Sequence, residues 1–230
     1  KKANEEYNAD TIIFPELSVS SYPPEDLLLR PAFNKSINIA LEKIKSATNN
    51  IHVILGHPLK KDGVLYNACS LIHKKEIKKT YHKQYLPNYG VFDEKRYFTP
   101  GDEACLFEIN GVTAALSICE DIWVSKPVVD AAAKNAKILF NINASPYDKN
   151  KNSERESIIS KRASESDMCI VYVNLVGGQD ELIFDGNSMI FDKNGDVIFR
   201  VPEFGEGLYE AYIDTKQSEI KSKAKKEVNL

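Results

Sequence analysis

Residues 112–123 read VTAALSICEDIW, and this stretch decides the fold. The apolar run Ala114–Ile118 has the length and composition of a buried strand, and Cys119-Glu120-Asp121 ends it abruptly. Helical spacing follows at 126–135, with Val128, Val129, Ala132 and Ala133 on one stripe. A strand is expected at 138–142. Ser153 and Glu156 then form a capping box for a helix running to about Asp167, and a strand at 169–176 follows. Upstream, a strand at 105–109 precedes the quoted stretch. From Ser36 onward, Ile37, Ala40, Leu41 and Ile44 keep helical spacing, and 51–58, 64–73 and 76–83 read as strands in hairpin succession. Lys74-Lys75 turns the second of those hairpins, and Lys193-Asn194-Gly195 turns another between 188–191 and 197–200. Strands alternating with helices make the class α/β, and the mixture of hairpins with helical crossovers calls for mixed sheets.

The chain has 230 residues, 43% of them hydrophobic, enough for a large core and one domain. A net charge of −3 argues against nucleic acid, which asks for a strongly basic surface. No apolar stretch exceeds the six residues Met168–Val173, far short of a membrane span. The opening KKANEEYNAD has no apolar core of a signal peptide and reads as the last turns of a helix. Cys69, Cys105, Cys119 and Cys169 show no CxxC spacing, which fits a reduced, cytoplasmic protein without disulfides or structural zinc. The four histidines, His52, His57, His73 and His82, make no metal spacing. The closing KQSEIKSKAKKEVNL is charged and poorly patterned, so 216–230 is expected to be a tail or the start of a linker.

A second apolar run, Ile12–Phe14, ends at Glu16 in FPELSVSSYPPEDLL, residues 14–28. Strand ends are where open α/β sheets hold ligands. Taken singly, Cys119 would be a small core residue and Glu16 a solvated carboxylate. Glu16, however, sits between Pro15 and a serine-rich turn with Pro23-Pro24, an expensive place for an idle charge. Lys83 lies among Lys78, Lys79 and His82, a solvated charge run in its simplest reading. The rigid turn Leu86-Pro87-Asn88-Tyr89-Gly90 after it would fix its position, and Glu94 in the same loop is within reach of its ammonium. The simpler partners for Glu94 are Lys95 and Arg96. A thiol beside a cation and a carboxylate base is an activated nucleophile, and backbone N–H groups after Cys119 could stabilise an oxyanion.

The order Glu, Lys, Cys, in the contexts FPEL, KxxLPNY and ICED, resembles the nitrilase, or carbon–nitrogen hydrolase, superfamily. YPPEDLLLRPAF, LPNYGVFDEKRYF, ICEDIW and GGQDELIFDGNS (177–188) narrow the resemblance to glutaminase domains of glutamine-dependent NAD+ synthetases, over residues 1 to about 215. The resemblance implies a four-layer α-β-β-α sandwich of two mixed sheets, here without its usual first strand. It makes Glu16 the general base, Lys83 the oxyanion-stabilising lysine, Cys119 the nucleophile and Glu94 the group that positions Lys83. Tyr89, Ser145 and Lys151 fall where this branch binds L-glutamine, with Glu120 and Trp123 lining the pocket. The glutaminase step needs no cofactor. ATP and Mg2+ are expected only in a C-terminal synthetase domain, whose phosphate loop has no match here, and a homo-oligomer is implied. Two other readings stand beside it: a stand-alone amidase or nitrilase acting on another small amide, and a non-catalytic scaffold.

Overall fold

The computed structural model describes residues 2–214 and the backbone of 225–228. The expected tail, 216–230, lies for the most part outside the described residues. The chain divides into two units, one through Glu103 and one from Ala104.

In the first unit a short helix α1 (Lys2–Glu5) leads to β1 (Thr11–Ile13), then α2 (Pro31–Ala47), β2 (His52–Lys61), β3 (Val64–His73) and β4 (Glu76–His82). The four strands lie in sequence order, β1 parallel to β2 and the rest antiparallel, so the sheet is mixed. Lys74 and Lys75 turn the β3–β4 hairpin with φ of +50° and +62°, the pair of left-handed residues that a tight hairpin requires. Helix α2 begins at Pro31, five residues ahead of the expected Ser36, because proline fits the first helical position. Its Ile37 and Leu41 are buried, and the helix packs on β2 and β4.

The second unit runs β5 (Cys105–Ile109), β6 (Val112–Ile118), α3 (Ser125–Ala133), β7 (Ile138–Asn143), α4 (Lys151–Ser166) and β8 (Cys169–Asn174). It continues through β9 (Val176–Gln179), β10 (Leu182–Asp185), β11 (Met189–Phe191), β12 (Val197–Arg200), β13 (Leu208–Glu210) and β14 (Lys225–Val228). Its main sheet has the order β12-β11-β8-β7-β6-β5, with β6, β7 and β8 parallel at the centre and antiparallel strands outside them. Helices α3 and α4 cover one face, where Val128, Ala131, Ile159 and Ala163 meet Leu139, Ile170 and Phe191. Each fully buried Val, Leu, Ile or Phe among them contributes about 1.5–3 kcal/mol.

Two expectations need correction here. Val129 and Ala133 are exposed, and the buried face of α3 is Pro127, Val128 and Ala131. In a nine-residue helix the apolar residues outnumber the positions that can face the core, so composition alone misplaces the stripe. Ser153 is not the N-cap of α4. The helix starts at Lys151 after Asn150, and the Ser153 hydroxyl donates to the Asn150 carbonyl at 3.0 Å from inside the first turn. Glu156 pairs instead with Arg200. The class is α/β with mixed sheets, as expected. Among the described residues no helix is long and apolar enough to cross a membrane.

Candidate active site

In the first unit the chain leaves β1 through Phe14, whose N–H donates to the Ile54 carbonyl at 2.9 Å, and Glu16 follows two residues later. This segment lies directly on Gly56 of β2. A Cβ at Gly56 would stand 2.5 Å from the Leu17 nitrogen and the Pro15 carbonyl, and 2.8 Å from the Glu16 Cα. Glycine at 56 is therefore what lets Glu16 approach the sheet. Lys83 extends β4 by one bond, its N–H donating to the Asn67 carbonyl at 2.9 Å.

Lys83 is 1% exposed, and its Nζ donates to Glu16 Oε1 at 2.7 Å and to Glu94 Oε1 at 2.8 Å. Glu94 opens a short turn, and its backbone N–H is held by the Pro87 carbonyl at 3.2 Å. The rigid turn after Lys83 thus delivers the second carboxylate. Glu94 does not pair with Arg96, which reaches Asp26 and Asp93 instead. Tyr22 donates to Glu94 Oε1 at 2.8 Å, and Asn67 Nδ2 donates to Glu16 Oε1 at 2.7 Å and Glu94 Oε2 at 3.4 Å. The result is a buried cage of two carboxylates around one ammonium. Burial pushes the Glu94 carboxyl up to about 7, against the pull of Lys83 and with that of the Glu16 charge.

In the second unit Cys119 stands at the carboxyl end of the parallel strand β6, with φ at +43°. A left-handed conformation costs a residue with a Cβ about 1–2 kcal/mol, and such strain gathers at functional positions. It is held by Asp121, fully buried, whose Oδ2 accepts the Ile118 N–H at 3.0 Å across the turn. Among the other thiols, burial drives Cys169 far above its ordinary range, Cys69 is fully buried, and Cys105 is half-buried on an edge strand.

Ser145, just beyond β7, is 2% exposed and clamped on three sides. Its N–H donates to Asn174 Oδ1 at 2.8 Å, its carbonyl accepts from Asn174 Nδ2 at 3.3 Å, and its hydroxyl accepts from Arg155 Nη2 at 3.4 Å. Arg155 is itself buried, paired with Asp185 at 3.1 and 3.4 Å and lying 5.9 Å over the Tyr172 ring. Lys151 is the first residue of α4 and half-buried, and Glu120 is likewise half-buried in the turn after Cys119. Trp123 packs against the core under α3 and α4, and its carbonyl accepts from Arg162 at 3.0 Å. Tyr89 is 58% exposed on the loop after Lys83, its ring edge-on to Phe92.

The structure thus brings Glu16, Lys83 and Glu94 into one contact, and it adds Asn67 and Tyr22, which the sequence reading did not single out. In the second unit it adds Asp121, Arg155 and Asp185 beside the expected Cys119 and Ser145. No signal in a single sequence separates these residues from ordinary surface polar positions. Among the described residues, no cluster of His, Cys, Asp or Glu could hold a metal.

Comparison with known proteins bears on this arrangement. A glutamine-dependent NAD(+) synthetase from Xylella fastidiosa (strain Temecula1) is 43% identical over 199 residues, covering 86% of this chain and 36% of the relative. One from Aquifex aeolicus is 43% identical over 224 residues, covering 96% and 40%. The chain spans well under half the length of these curated relatives. The solved structure of glutamine-dependent NAD+ synthetase from Acinetobacter baumannii superimposes with a TM-score of 0.90 at 40% identity, over 93% of this chain and 41% of that one. An amidase from Nesterenkonia sp. shares the fold, with a TM-score of 0.76 at 23% identity over 86% of this chain and 75% of that one. The model of the carbon–nitrogen hydrolase family matches residues 1–220. With that match spanning nearly all of it, the chain belongs to the carbon–nitrogen hydrolase family.

Proposed function

We propose that this chain is the glutamine-hydrolysing part of an NAD+ synthetase, releasing ammonia from the L-glutamine side-chain amide. The observation that carries the reading is the buried Glu16–Lys83–Glu94 cage, in a member of the carbon–nitrogen hydrolase family whose matched relatives are glutamine-dependent NAD+ synthetases. A fully buried lysine between two carboxylates is a poor device for stability alone, since an apolar trio would serve as well. As a catalytic device it supplies a fixed cation and a fixed base.

In the proposed reaction Glu16 accepts the thiol proton of Cys119 as sulfur attacks the amide carbon. Lys83 holds the developing oxyanion, a contribution of about 3–4 kcal/mol for one such donor. The C–N bond breaks, the proton returns from Glu16 to the leaving nitrogen, and ammonia departs from a γ-glutamyl thioester. Glu16 then takes a proton from water, hydroxide adds to the thioester carbon, and the thiol and glutamate are released. Glu94 positions Lys83, while Tyr89, Ser145 and Lys151 grip the substrate, with Glu120 and Trp123 beside them. Ammonia serves ATP- and Mg2+-dependent amidation in a C-terminal synthetase domain. The free thiols of all four cysteines support a cytoplasmic setting, and a homo-oligomer is part of the proposal.

The test is Cys119→Ala in the full-length protein. NAD+ synthesis supported by glutamine should vanish while synthesis from added ammonium salts survives. Equal loss of both activities in a folded variant would overturn the two-site reading. Glutamine left untouched by the wild type, with another small amide hydrolysed, would favour an amidase.

A further inference from the structure

Arg162 lies on the buried stripe of α4, where Arg155, Ile159, Arg162 and Ala163 recur at helical spacing. A long cation beside a core ordinarily carries its head out to water, and the neighbouring Lys161 is exposed in this way. Arg162 is only 8% exposed, and its head turns inward. Its Nε donates to the Ile122 carbonyl at 3.1 Å and its Nη2 to the Trp123 carbonyl at 3.0 Å. One edge of the planar guanidinium thus binds two consecutive peptides, a match that its fixed fork allows. The remaining nitrogen, Nη1, donates to the exposed Glu165 at 2.9 Å. The inward edge therefore serves the main chain of one particular segment.

That segment is the turn Cys119–Ile122 and the residue that closes it, Trp123. At its entry Asp121 Oδ2 accepts the Ile118 N–H at 3.0 Å, and at its close the Trp123 N–H donates to the Glu120 carbonyl at 3.0 Å. Cys119 stands at the head of the turn with φ at +43°. A strained residue persists only where its surroundings over-determine it. Carbonyls at the end of a helical turn carry partial negative charge and lack partners in the turn itself, so a cation set on them fixes that end. The turn is gripped at both ends, by Asp121 at Ile118 and by Arg162 at Ile122 and Trp123.

We propose that Arg162 is a positioning residue for the nucleophile: by fixing the Ile122 and Trp123 carbonyls it sets the turn that aims the Cys119 sulfur and the N–H groups after it. The inference rests on Cys119 being the nucleophile, as proposed above. A reacting atom misplaced by about 1 Å costs about a hundredfold in rate. Loosening the turn is therefore felt in the chemical step, while the grip on the substrate, made elsewhere, is left in place.

The test is the rate at which a glutamine-derived chloroketone labels Cys119 in the full-length protein, followed by mass mapping. Sulfur displaces chloride, and the thiol proton passes to the base. The rate constant at saturation reports folded molecules alone, whereas instability lowers the plateau and leaves that constant unmoved. In Arg162→Met the constant should fall by about tenfold or more, with the half-saturating concentration changed less than about twofold and kcat for glutamine falling in step. Arg162→Lys, which keeps the charge and one donor, should recover part of the loss. Glu165→Gln, which removes only the outward partner, should label at the wild-type rate. A folded Arg162→Met with the wild-type constant would overturn the proposal. So would a lowered plateau with an unmoved constant, the mark of a residue that only stabilises the fold. A loss in Glu165→Gln as large as in Arg162→Met would assign the effect to the ion pair and overturn it too. Where Arg162→Met fails to fold, Arg162→Lys decides: a lowered constant supports the proposal and a wild-type one overturns it. Cys119→Ala that still hydrolyses glutamine would instead refute the reading of the site, and this proposal with it.

Discussion

Lys83→Met removes an ammonium while keeping most of the side chain's volume, and so isolates the charge. Lys83 Nζ stands 2.7 and 2.8 Å from carboxylates whose side chains are 0% and 5% exposed. Removing one partner of a buried ion pair costs about 3–5 kcal/mol, because the remaining charge has neither water nor counter-ion. The control is Lys45→Met. Lys45 meets Glu42 at 2.6 Å, an equally short contact, but with side chains 27% and 61% exposed. An exposed helix pair of this kind contributes about 0.3–0.5 kcal/mol. Distance is matched, burial is not, and the two costs should differ by about tenfold. A pH dependence must accompany the larger one. Without the cation, the folded variant relieves its cage by binding protons that the unfolded chain releases at ordinary carboxylate pH. Stability then falls as pH rises, by about 1.4 kcal/mol per unit for each extra proton held. Urea unfolding at several pH values, from about 5 to about 8, reads both effects. The penalty should be largest at the alkaline end and shrink towards the acid end. A penalty independent of pH, or one no larger than that of Lys45→Met, would refute the reasoning.

Glu94→Gln should flatten the stability profile of the wild type. Burial raises the Glu94 carboxyl from 4.5 to about 7, so its neutral form stabilises the fold fully below about 4.5, and this contribution is lost as pH rises through about 7. Melting temperatures of the two proteins should therefore diverge across that window, the variant gaining ground as pH rises, and parallel curves would contradict it. Gly56→Ala forces its Cβ to within 2.5 Å of backbone atoms, and should cost about 1–3 kcal/mol in urea unfolding while lowering glutamine hydrolysis through displacement of Glu16. Arg155→Met and Asp185→Asn should each destabilise by about 3–5 kcal/mol, and the double variant by clearly less than their sum, since each single change strands a buried partner. Additive losses in that cycle would mean the pair is not coupled.

The elements most legible in the sequence were those whose pattern has a local cause. Two lysines between β3 and β4 mark a hairpin because the strand-like runs on either side leave room for nothing longer. The run before Cys119 reads as a strand because a parallel central strand is apolar on both faces. Helix α3 shows the limit: Val128 and Val129 are alike as residues, and only the sheet beneath decides that one is buried and the other 55% exposed. The site divides along the same line. Glu94, eleven residues after Lys83, is suggested by the rigid turn between them, a local constraint. Asn67 reaches Glu16 across 51 residues and Arg155 reaches Asp185 across 30, and neither partnership has a short-range signature. The left-handed backbone of Cys119 is invisible for the same reason, since the buried Asp121 that holds it looks like any acidic residue in a turn.

The caged lysine has one more consequence, for the survival of the catalyst. The proposed reaction makes a γ-glutamyl thioester, a reactive acyl donor, at a carbonyl whose oxygen Lys83 contacts. A neutral amine in that place would be acylated, transferring the glutamyl group into a stable amide and ending turnover for good. Between Glu16 and Glu94, the Lys83 nitrogen is engaged as a hydrogen-bond donor to two anions and offers no lone pair to the thioester. In the proposed reaction the second carboxylate thus guards against self-inactivation: it keeps the lysine that holds the oxyanion from becoming an acyl acceptor.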